Sequence, residues 1–447
     1  MTPKHENAKS DVAKSDVIRV GLLGCGNVGA PLVRLIAEHD AIIRSRAGIG
    51  LEVTRVAVRN VSRDRGLELA DGVLTNDAES VVRADDVDVV VELIGGVEPA
   101  RSLILDALKL GKPVITGNKE LLANVGQELF EAAEVAGVDL LFEASVGGGI
   151  PIMRPLRESL AGERIRRVMG IVNGTTNFIL TRMTEEGSGF ADALAEAQSL
   201  GYAERDPTAD VEGFDAAAKA AIIATIAFGA KVVAGDVYRE GISEITAADI
   251  AAAADLGYVL KLLAVAEQVD LDGGEAALAV RVHPVMVPAD HPLASVRGSF
   301  NALFVQGDAV GDLMLYGRGA GGGPTAIAVL GDLIDAAKNV HAGAPGATIG
   351  TLAKPRILPI DEVQSQYYLT LDVVDQSGVL AAIAGVFGAH DVSIQSMQQK
   401  GEGDEAHLIF VTHRAREADM RATIHAVKEL DVVRTVGSLV RVIGGEG

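Results

Sequence analysis

The chain has 447 residues, a formal net charge of −21 and a single cysteine. Its length predicts two or three domains that bury sizeable cores. The charge argues against nucleic acid and anionic membranes as partners, and no apolar run approaches the roughly 20 residues of a membrane span. Residues 1–15 lack the apolar region of a signal peptide and predict a disordered tail. One cysteine excludes an internal disulfide framework and favours a cytoplasmic location.

The first predicted elements form a nucleotide site. Residues 17–23 predict an apolar strand and residues 31–39 a helix, with the pattern G-x-G-x-x-G between them. Such glycines permit a tight turn and a close approach of the backbone to a pyrophosphate at the helix N-terminus. A glycine-rich turn without a ligand is the alternative. The predicted cofactor-binding residues of this loop are Gly24, Gly26, Asn27, Val28 and Gly29.

The end of the second predicted strand, residues 51–58, indicates which cofactor is used. An NAD site places an acidic residue there to accept hydrogen bonds from the ribose hydroxyls. This strand instead ends in Arg59 and Asn60. Because an arginine suits a 2′-phosphate, we predict a preference for NADP(H). If Arg59 is only a surface cation, both NADP(H) and NAD(H) would be used.

Alternation of strands and helices continues up to residue 142. The strands are predicted at residues 87–93, 113–116 and 138–142, and the helices at residues 99–109 and 124–136. This order predicts an α/β fold with a doubly wound, Rossmann-type parallel sheet over residues 16–142, whose ligands bind beyond the carboxyl ends of the strands. Lys119 follows such a strand end, so we predict a functional role for it.

Three clusters rich in glycine or polar residues follow, at residues 143–151, 173–177 and 317–325. Successive glycines leave carbonyl groups exposed, which suits either a hard monovalent cation or a hinge. The third cluster precedes a predicted helix at residues 325–338. We expect that helix to return to the cofactor domain and to direct its N-terminus at the ligand.

Residues 201–219 are the most informative segment. Glu204 lies there in a polar stretch, and the alanine-rich helix predicted at residues 214–228 has only Asp215 and Lys219 as charged residues. These two residues are four positions apart and share one helix face, where an exposed pair contributes roughly 0.3–0.5 kcal/mol. The apolar surroundings favour a buried site, in which Lys219 exchanges a proton while Glu204 and Asp215 hold a cationic substrate.

The tail is predicted to be a separate unit, residues 366–447, after a linker at residues 341–365. Its predicted order of strands and helices, βαββαβ, resembles an ACT regulatory domain and is expected to fold independently of the catalytic core. The resemblance implies an amino-acid effector bound between paired copies, and a structural dimerisation module is the alternative. The predicted effector residues of the first loop are Asp375, Gly378, Val379 and Leu380.

Together these motifs resemble the homoserine dehydrogenase family in its long bacterial form. The matching motifs are the glycine loop, Gly117-Asn118-Lys119, residues 143–151, residues 173–177, Gly201-Tyr202-Ala203-Glu204, Asp215 to Lys219, and Gly319-Ala320-Gly321. The resemblance implies NAD(P)-dependent interconversion of L-homoserine and L-aspartate 4-semialdehyde, in the biosynthesis of threonine, methionine and isoleucine. It also implies an α+β catalytic and dimerisation domain at residues 143–323, a returning helix at residues 324–340, and a homodimer or homotetramer.

The resemblance implies a role for each candidate residue. Catalysis would fall to Lys119 and Lys219, and threonine would be the natural effector. Substrate binding is expected at Glu204, Asp215, Thr176, Tyr202 and Gly201. The cofactor is expected to contact the glycine loop, Arg59, Lys119, Gly319 and Gly321. A monovalent cation, sodium in the family, would be held by the backbone carbonyls of Glu143, Val146, Gly148 and Ile150.

The chemistry of these residues agrees with that activity. Oxidation of an alcohol needs a base for the hydroxyl proton while hydride passes to nicotinamide. A lysine that is desolvated near a second lysine would have a lowered pKa, and both would stabilise negative charge on the substrate oxygen. Which lysine carries the proton stays open.

Two alternative functions are less consistent with the residues. An aspartate-semialdehyde dehydrogenase needs a cysteine nucleophile, and Cys25 lies in the pyrophosphate loop, where we expect it to pack and not to react. A non-catalytic NADP(H)-sensing regulator with an ACT module would not need Glu204, Asp215 and Lys219.

Overall fold

A computed structural model describes residues 16–271, 274–402 and 405–443 of the chain. The tail predicted at residues 1–15 lies outside the described residues. Within the described part, no helix has both the length and the apolar character that crossing a membrane requires.

Short strands and helices alternate over the first part of the chain. The strands are β1 (Val17–Leu23), β2 (Gly50–Ala57), β3 (Leu74–Thr75), β4 (Val89–Glu92), β5 (Val114–Thr116) and β6 (Leu140–Leu141). The helices are α1 (Gly29–Glu38), α2 (Asp40–Ala47), α3 (Ala78–Arg83), α4 (Ala100–Lys109) and α5 (Lys119–Ala136). The valines of β4 are completely buried, as expected of a parallel strand covered on both faces.

The described middle of the chain contains six further strands, five of which are seven residues or longer. They are β7 (Ile165–Ile171), β8 (Tyr238–Arg239), β9 (Tyr258–Asp270), β10 (Ala276–Pro288), β11 (Phe300–Gly307) and β12 (Gly311–Arg318). The helices are α6 (Gly174–Glu186), α7 (Phe190–Ser199), α8 (Thr208–Val211), α9 (Phe214–Phe228), α10 (Ala247–Asp255) and α11 (Gly322–Ala342).

The linker segment and the tail together contain six further strands and two α-helices among their described residues. The strands are β13 (Arg356–Ile357), β14 (Gln364–Val374), β15 (Ile394–Glu402), β16 (Glu405–Thr412), β17 (Ala415–Arg416) and β18 (Val433–Val442). The helices are α12 (Val379–Ala389) and α13 (Glu417–Lys428). Leu369, Phe387 and Phe410 are among the buried residues that form the core between these helices and strands.

The chain divides into two compact units. The first comprises the described residues up to Asn118, with residues 128–144 and 325–348. Its six parallel strands have the order β3-β2-β1-β4-β5-β6, which is the doubly wound order of a dinucleotide-binding sheet. The predicted Rossmann-type fold is therefore confirmed. Val329 and Leu333 of α11 lie in the hydrophobic core of this unit.

The second unit comprises residues 119–127, 145–324 and the described residues from Ile349 onward. Its mixed sheet has the strand order β12-β11-β7-β9-β10-β18-β14-β16-β15. β9 and β10 pair along their whole length as an antiparallel hairpin, and α6 and α9 pack against β9. The predicted catalytic α+β layer and the βαββαβ order of the tail are both present.

The tail is not the separate unit predicted from the sequence, because it shares this sheet with the catalytic strands and lies in the same compact unit. Arg441 and Val442 at the end of β18 pair with Val285 and Met286 of β10. The segment predicted as a linker contains β13, which pairs with the start of β10, and Ala353 forms a bridge to Ala230. Sequence reasoning missed these pairings because two-residue strands have no measurable periodicity. For the same reason it missed β3, and it also missed the short helices α2 and α3.

Candidate active site

The site is built on α9, an alanine-rich helix that begins after Gly213, which has a φ of 78°. Asp215 lies in the first turn and is 8% exposed, and Lys219 follows one turn later. Lys219 Nζ donates a hydrogen bond to Asp215 Oδ2 at 2.8 Å and another to the buried carbonyl of Val172 at 2.6 Å. The alternative of an exposed helical pair is therefore wrong, since both side chains are buried.

A second lysine reaches the same carboxylate. Lys119, the first residue of α5, forms an ion pair with Asp215 Oδ1, although the two residues are 96 positions apart in the chain. Its side chain is 44% exposed, in contrast to 11% for Lys219. Asp215 therefore lies between two ammonium groups, one half-exposed and one buried.

Sequence reasoning missed the part that Asn173 plays in this cluster. The Asn173 amide nitrogen donates to Asp215 Oδ2 at 2.8 Å and to Asp210 Oδ1 at 2.7 Å. Its amide oxygen accepts from the backbone N–H of Thr176 at 2.8 Å and so caps α6. The polar turn before α6 was the available signal, but only the capping role could be read from it.

Charge decides the protonation of the cluster. Burial opposes ionisation of Asp215, yet the charges of Lys219 and Lys119 outweigh it and hold the pKa of Asp215 well below its usual range. Burial lowers the pKa of Lys219 from its ordinary 10.5, and Lys119 lowers it further, against the opposing charge of Asp215. Asp215 is thus a permanent anion beside a lysine that releases its proton more easily than usual.

The predicted substrate residues occupy different environments. Thr176 is almost completely buried, and its hydroxyl bonds to Asn173, so it serves the cap of α6. Tyr202 is 43% exposed, with its ring centroid 5.0 Å from that of Phe178, and its carbonyl accepts from the Thr175 hydroxyl at 2.6 Å. That bond holds the segment containing Gly201 and Glu204 beside α6.

Glu204 is the exposed carboxylate of this segment. Gly201, which has a φ of 76°, turns the chain just before it. Among the residues that the structure describes, no partner forms a hydrogen bond or an ion pair with the Glu204 carboxylate. Its charge is therefore available to a ligand.

Two glycine clusters of the second unit lie against each other. Gly147 and Gly148 have positive φ values of 76° and 55°, and the N–H of Gly149 donates to the Arg318 carbonyl at 3.1 Å. A side chain on Gly148 would come within 2.5 Å of the Gly319 carbonyl oxygen, so the two backbones touch. Gly321, with a φ of 119°, continues the second cluster.

The predicted cation ligands lie in and near the first of these clusters. Val146 and Ile150 flank Gly148 and are buried. Glu143 belongs to the first unit, where its backbone N–H donates to Asp332 Oδ2 at 2.7 Å. Across residues 16–271, 274–402 and 405–443, no group of three His, Cys, Asp or Glu side chains could hold a metal ion.

The glycine loop of the first unit fits a pyrophosphate. Gly24 has a φ of 97°, and a side chain on Gly29 would overlap the Gly24 carbonyl, whereas a Cβ on Gly26 would meet nothing within 4 Å. No side chain caps the N-terminus of α1 at Val28, and its first turn contains no acid. The backbone N–H groups there are therefore available to an anion. Asn27 is exposed in the same loop.

Arg59 is exposed just beyond the end of β2. Among the described residues it has neither a hydrogen bond nor an ion pair. Arg65, whose role sequence reasoning missed, donates to the carbonyls of Cys25 at 3.2 Å and Asn60 at 2.7 Å. It thereby connects the loop after β2 to the glycine loop. Cys25 itself is buried in the core, and burial raises the pKa of its thiol, which agrees with a packing role.

The predicted effector loop precedes α12. Asp375, Gly378 and Leu380 are exposed, and Val379 is buried. Gly378 has a φ of 95° and starts the helix without a side-chain cap, which leaves N–H groups available to a carboxylate.

Comparison with known proteins gives three family matches. Residues 24–143 match the homoserine dehydrogenase NAD-binding domain, residues 151–334 match the homoserine dehydrogenase family, and residues 367–432 match the ACT domain.

Individual proteins are similar over nearly the whole chain. A homoserine dehydrogenase of Corynebacterium glutamicum is 51% identical over 426 residues, which is 95% of each protein. A homoserine dehydrogenase structure from Thiobacillus denitrificans is 42% identical with a TM-score of 0.89, covering 96% of this chain and 98% of that one. A hyperthermophilic archaeal homoserine dehydrogenase in complex with NADPH is 30% identical with a TM-score of 0.61, covering 74% of this chain and 99% of that one.

Proposed function

This chain belongs to the homoserine dehydrogenase family of NAD(P)-dependent oxidoreductases, and we propose that it interconverts L-homoserine and L-aspartate 4-semialdehyde with NADP(H) as the preferred cofactor. The observation that carries the proposal is the Asp215 carboxylate between the ammonium groups of Lys119 and Lys219. The domain boundaries given above, a cytoplasmic location, and a place in threonine, methionine and isoleucine biosynthesis are part of the same proposal.

Lys219 is the proposed base. It takes the hydroxyl proton of homoserine during oxidation and returns it during reduction, because its lowered pKa makes the neutral amine more accessible. Asp215 fixes the position of Lys219 Nζ. Lys119, which is half-exposed, places a positive charge where negative charge develops on the substrate oxygen. The bound nicotinamide accepts or supplies the hydride.

Glu204 is the proposed anchor for the substrate ammonium group. Its carboxylate is exposed and without a partner among the described residues, whereas Asp215 is already shared by two lysines and Asn173. This difference supports a direct contact for Glu204 and a combined positioning and binding role for Asp215. Tyr202 and Gly201 would border the same substrate.

NADP⁺ is proposed to bind with its pyrophosphate on the glycine loop and its 2′-phosphate on Arg59. The uncapped α1 terminus and the free guanidinium of Arg59 support this assignment. The archaeal relative in complex with NADPH is a further support. Gly319 and Gly321 are proposed to complete the cofactor contacts.

Sodium is the proposed monovalent cation, bound by backbone carbonyls of Val146, Gly148 and Ile150 together with that of Glu143. Backbone carbonyls are hard donors, and the positive φ values of Gly147 and Gly148 show that the chain turns tightly at this cluster. Replacing sodium chloride by choline chloride at constant ionic strength should lower both the melting temperature and the turnover. Equal melting curves in the two salts would remove the cation from the proposal.

The direct test is the reduction of NADP⁺ by the purified protein with L-homoserine. Turnover with L-homoserine but not with D-homoserine is expected, and the reverse reaction should consume L-aspartate 4-semialdehyde. Lys219→Ala and Lys119→Ala should each lower turnover by orders of magnitude while cofactor binding stays measurable. Near-normal turnover in both variants would remove the lysines from catalysis.

The ACT module is proposed to bind L-threonine at Asp375 and Gly378 and to lower activity from a distance. The uncapped start of α12 supports carboxylate binding, and an effector acts through its different affinity for two states. Calorimetry on the full chain should show binding of L-threonine but not D-threonine. Asp375→Ala should weaken it, and Glu429→Ala, an exposed acid elsewhere in the module, should not. If wild type shows neither binding nor inhibition at millimolar threonine, the tail is an assembly module.

A homodimer or homotetramer is the proposed assembly. α12 exposes small apolar residues, Ala381, Ala384 and Gly388, next to Leu380, which is 40% exposed. Such a surface supports pairing of ACT modules through this helix. Sedimentation should show a smaller species for Ala384→Arg than for wild type, and an unchanged distribution would place the interface elsewhere.

A further inference from the structure

A cavity of about 400 Å³ lies on the mixed sheet where the catalytic strands meet the tail. Its lining comes from β7, β9 and β10 on one side and from β14 and β18 on the other. Arg281, His283 and Val285 alternate along β10 and so face the cavity together. Val282 points to the other face, where a side chain on Gly213 would contact it at 3.4 Å. The cavity is therefore on the opposite side of the sheet from α9 and the proposed catalytic lysines.

The charged side chains that line the cavity are all basic. No acidic residue lines the cavity, but five arginines do. They are Arg166, Arg167, Arg281, Arg414 and Arg441. Glu267 is shared by Arg281 at 2.7 Å and Arg167 at 3.1 Å, and Arg441 is compensated by Glu240 and Glu417. Arg166 has an exposed partner in Asp308. Arg414 donates only to the Gln364 carbonyl, at 3.4 Å, among the described residues. The cavity therefore keeps a net positive charge.

Two buried side chains that line this cavity have nitrogen atoms without a hydrogen-bond partner among the described residues. Arg281 is 4% exposed, and its Nε and Nη1 have no hydrogen-bond acceptor in the described part of the chain. His283 is 2% exposed, and its Nε2 also has no partner there. Buried guanidinium N–H groups without acceptors are costly, and an oxyanion would satisfy them with charge-assisted hydrogen bonds.

The His283 ring adds a second requirement for the chemistry of the ligand. Burial, Arg441 and Arg281 hold the pKa of His283 well below its usual range, so the ring is neutral. Its Nδ1 lies 3.0 Å from the Pro284 carbonyl and therefore carries the proton, which makes Nε2 an acceptor. A ligand that fits both groups has anionic oxygens for Arg281 and a hydroxyl donor for His283.

We infer that this cavity is a binding site for a small dianion that also carries a hydroxyl group, such as a hydrogen phosphate or a hydroxy-dicarboxylate. It is separate from the predicted effector loop. Gln366, at the cavity, and Val374, next to that loop, are eight residues apart on β14, which corresponds to roughly 27 Å at the rise of a strand. A bound dianion would contact catalytic strands and tail strands at once.

The test is calorimetry on the full-length chain near neutral pH, with two pairs of matched probes. Hydrogen phosphate is compared with sulfate, which lacks the hydroxyl, and L-malate with succinate. One site per chain is expected, with phosphate or malate binding more tightly than its partner probe and raising the melting temperature. The pair of probes that shows this preference identifies whether the ligand is a phosphate or a hydroxy-dicarboxylate.

Three variants localise the binding. Arg281→Gln should weaken it at least about tenfold, as expected for the loss of charged hydrogen bonds. Arg414→Gln, on an exposed lining residue, should weaken it several-fold without affecting folding. The matched control is Arg416→Gln, which removes the same charge two positions away and outside the cavity, and it should change nothing. Absence of binding by all four probes, or full affinity in a folded Arg281→Gln or in Arg414→Gln, would overturn the inference.

Discussion

Replacement of Lys219 by methionine tests the base with little change in volume. The variant loses the amine that takes the substrate proton, and general-base groups contribute about 10²- to 10⁴-fold to turnover. That range corresponds to roughly 2.7–5.4 kcal/mol of transition-state stabilisation. We therefore expect kcat for homoserine oxidation to fall by two to four powers of ten, with cofactor affinity nearly unchanged.

Folding of this variant should be affected much less. The buried Val172 carbonyl loses its donor, which costs roughly 1–3 kcal/mol, but burial of an ammonium group is relieved at the same time. Asp215 keeps Lys119 and Asn173 as partners. A matched control is Lys261→Met, because Lys261 is also a buried lysine with a lowered pKa, yet it donates to Asn177 and Val296 and not to Asp215.

The pH profile separates a base from a structural lysine. In wild type, kcat/KM for homoserine oxidation should rise with pH and level off below 10.5, because Lys219 must be neutral to accept a proton and its pKa is lowered. The Lys219→Met profile should be flat in that window, while the Lys261→Met profile should keep the wild-type shape. Retention of more than about a tenth of wild-type turnover by Lys219→Met, or loss of the pH step in both variants, would refute the assignment.

Four further outcomes are expected. Arg59→Asp should shift the ratio of kcat/KM for NADP⁺ and NAD⁺ toward NAD⁺, and an unchanged ratio would exclude Arg59 from the 2′-phosphate site. Glu204→Gln should raise KM for homoserine more than KM for NADP⁺, and equal effects would contradict its role as the ammonium anchor. Burial lowers the pKa of Lys261 from 10.5 to about 8. Between these two pH values, Lys261 is therefore protonated in the unfolded chain and neutral in the folded chain. Unfolding free energy should then rise with pH across that window by about 3 kcal/mol more in wild type than in Lys261→Met, measured by urea titration. Arg441→Met should cost roughly 3–5 kcal/mol of unfolding free energy, because it removes the ion pair of Glu240 and leaves the buried Glu417 with Arg421 as its remaining cationic partner. A change below about 1 kcal/mol would show that these ion pairs are dispensable.

Local patterns predicted the local structure well. The predicted strand at residues 17–23 coincides with β1, and the order of the ACT elements was correct, because apolar periodicity and turn residues act over a few neighbours. The same is true of Asp215 and Lys219, since helical spacing alone places them together. The family, the dehydrogenase class and the ACT tail predicted from these motifs are confirmed by the comparisons.

Contacts between distant residues could not be predicted in this way. The pairing of Lys119 with Asp215, and the bridge from Asn173 to Asp210, depend on how helices and strands pack. No spacing in the sequence encodes that packing. The resemblance could name Lys119 and Asp215 as site residues, but it could not say that they form an ion pair.

The pairing of β10 with β18 has a consequence for how the tail can be studied. Deleting the chain after about residue 350 would remove the main-chain neighbours of Val285 and Met286 on one side, while β9 stays paired on the other, and would leave an apolar strand edge open to other molecules. Such a protein would tend to aggregate. A loss of activity in it would then not report on the binding of an effector. The same pairing joins the tail directly to the catalytic sheet. Point substitutions in the full chain are therefore the informative way to ask what the tail does.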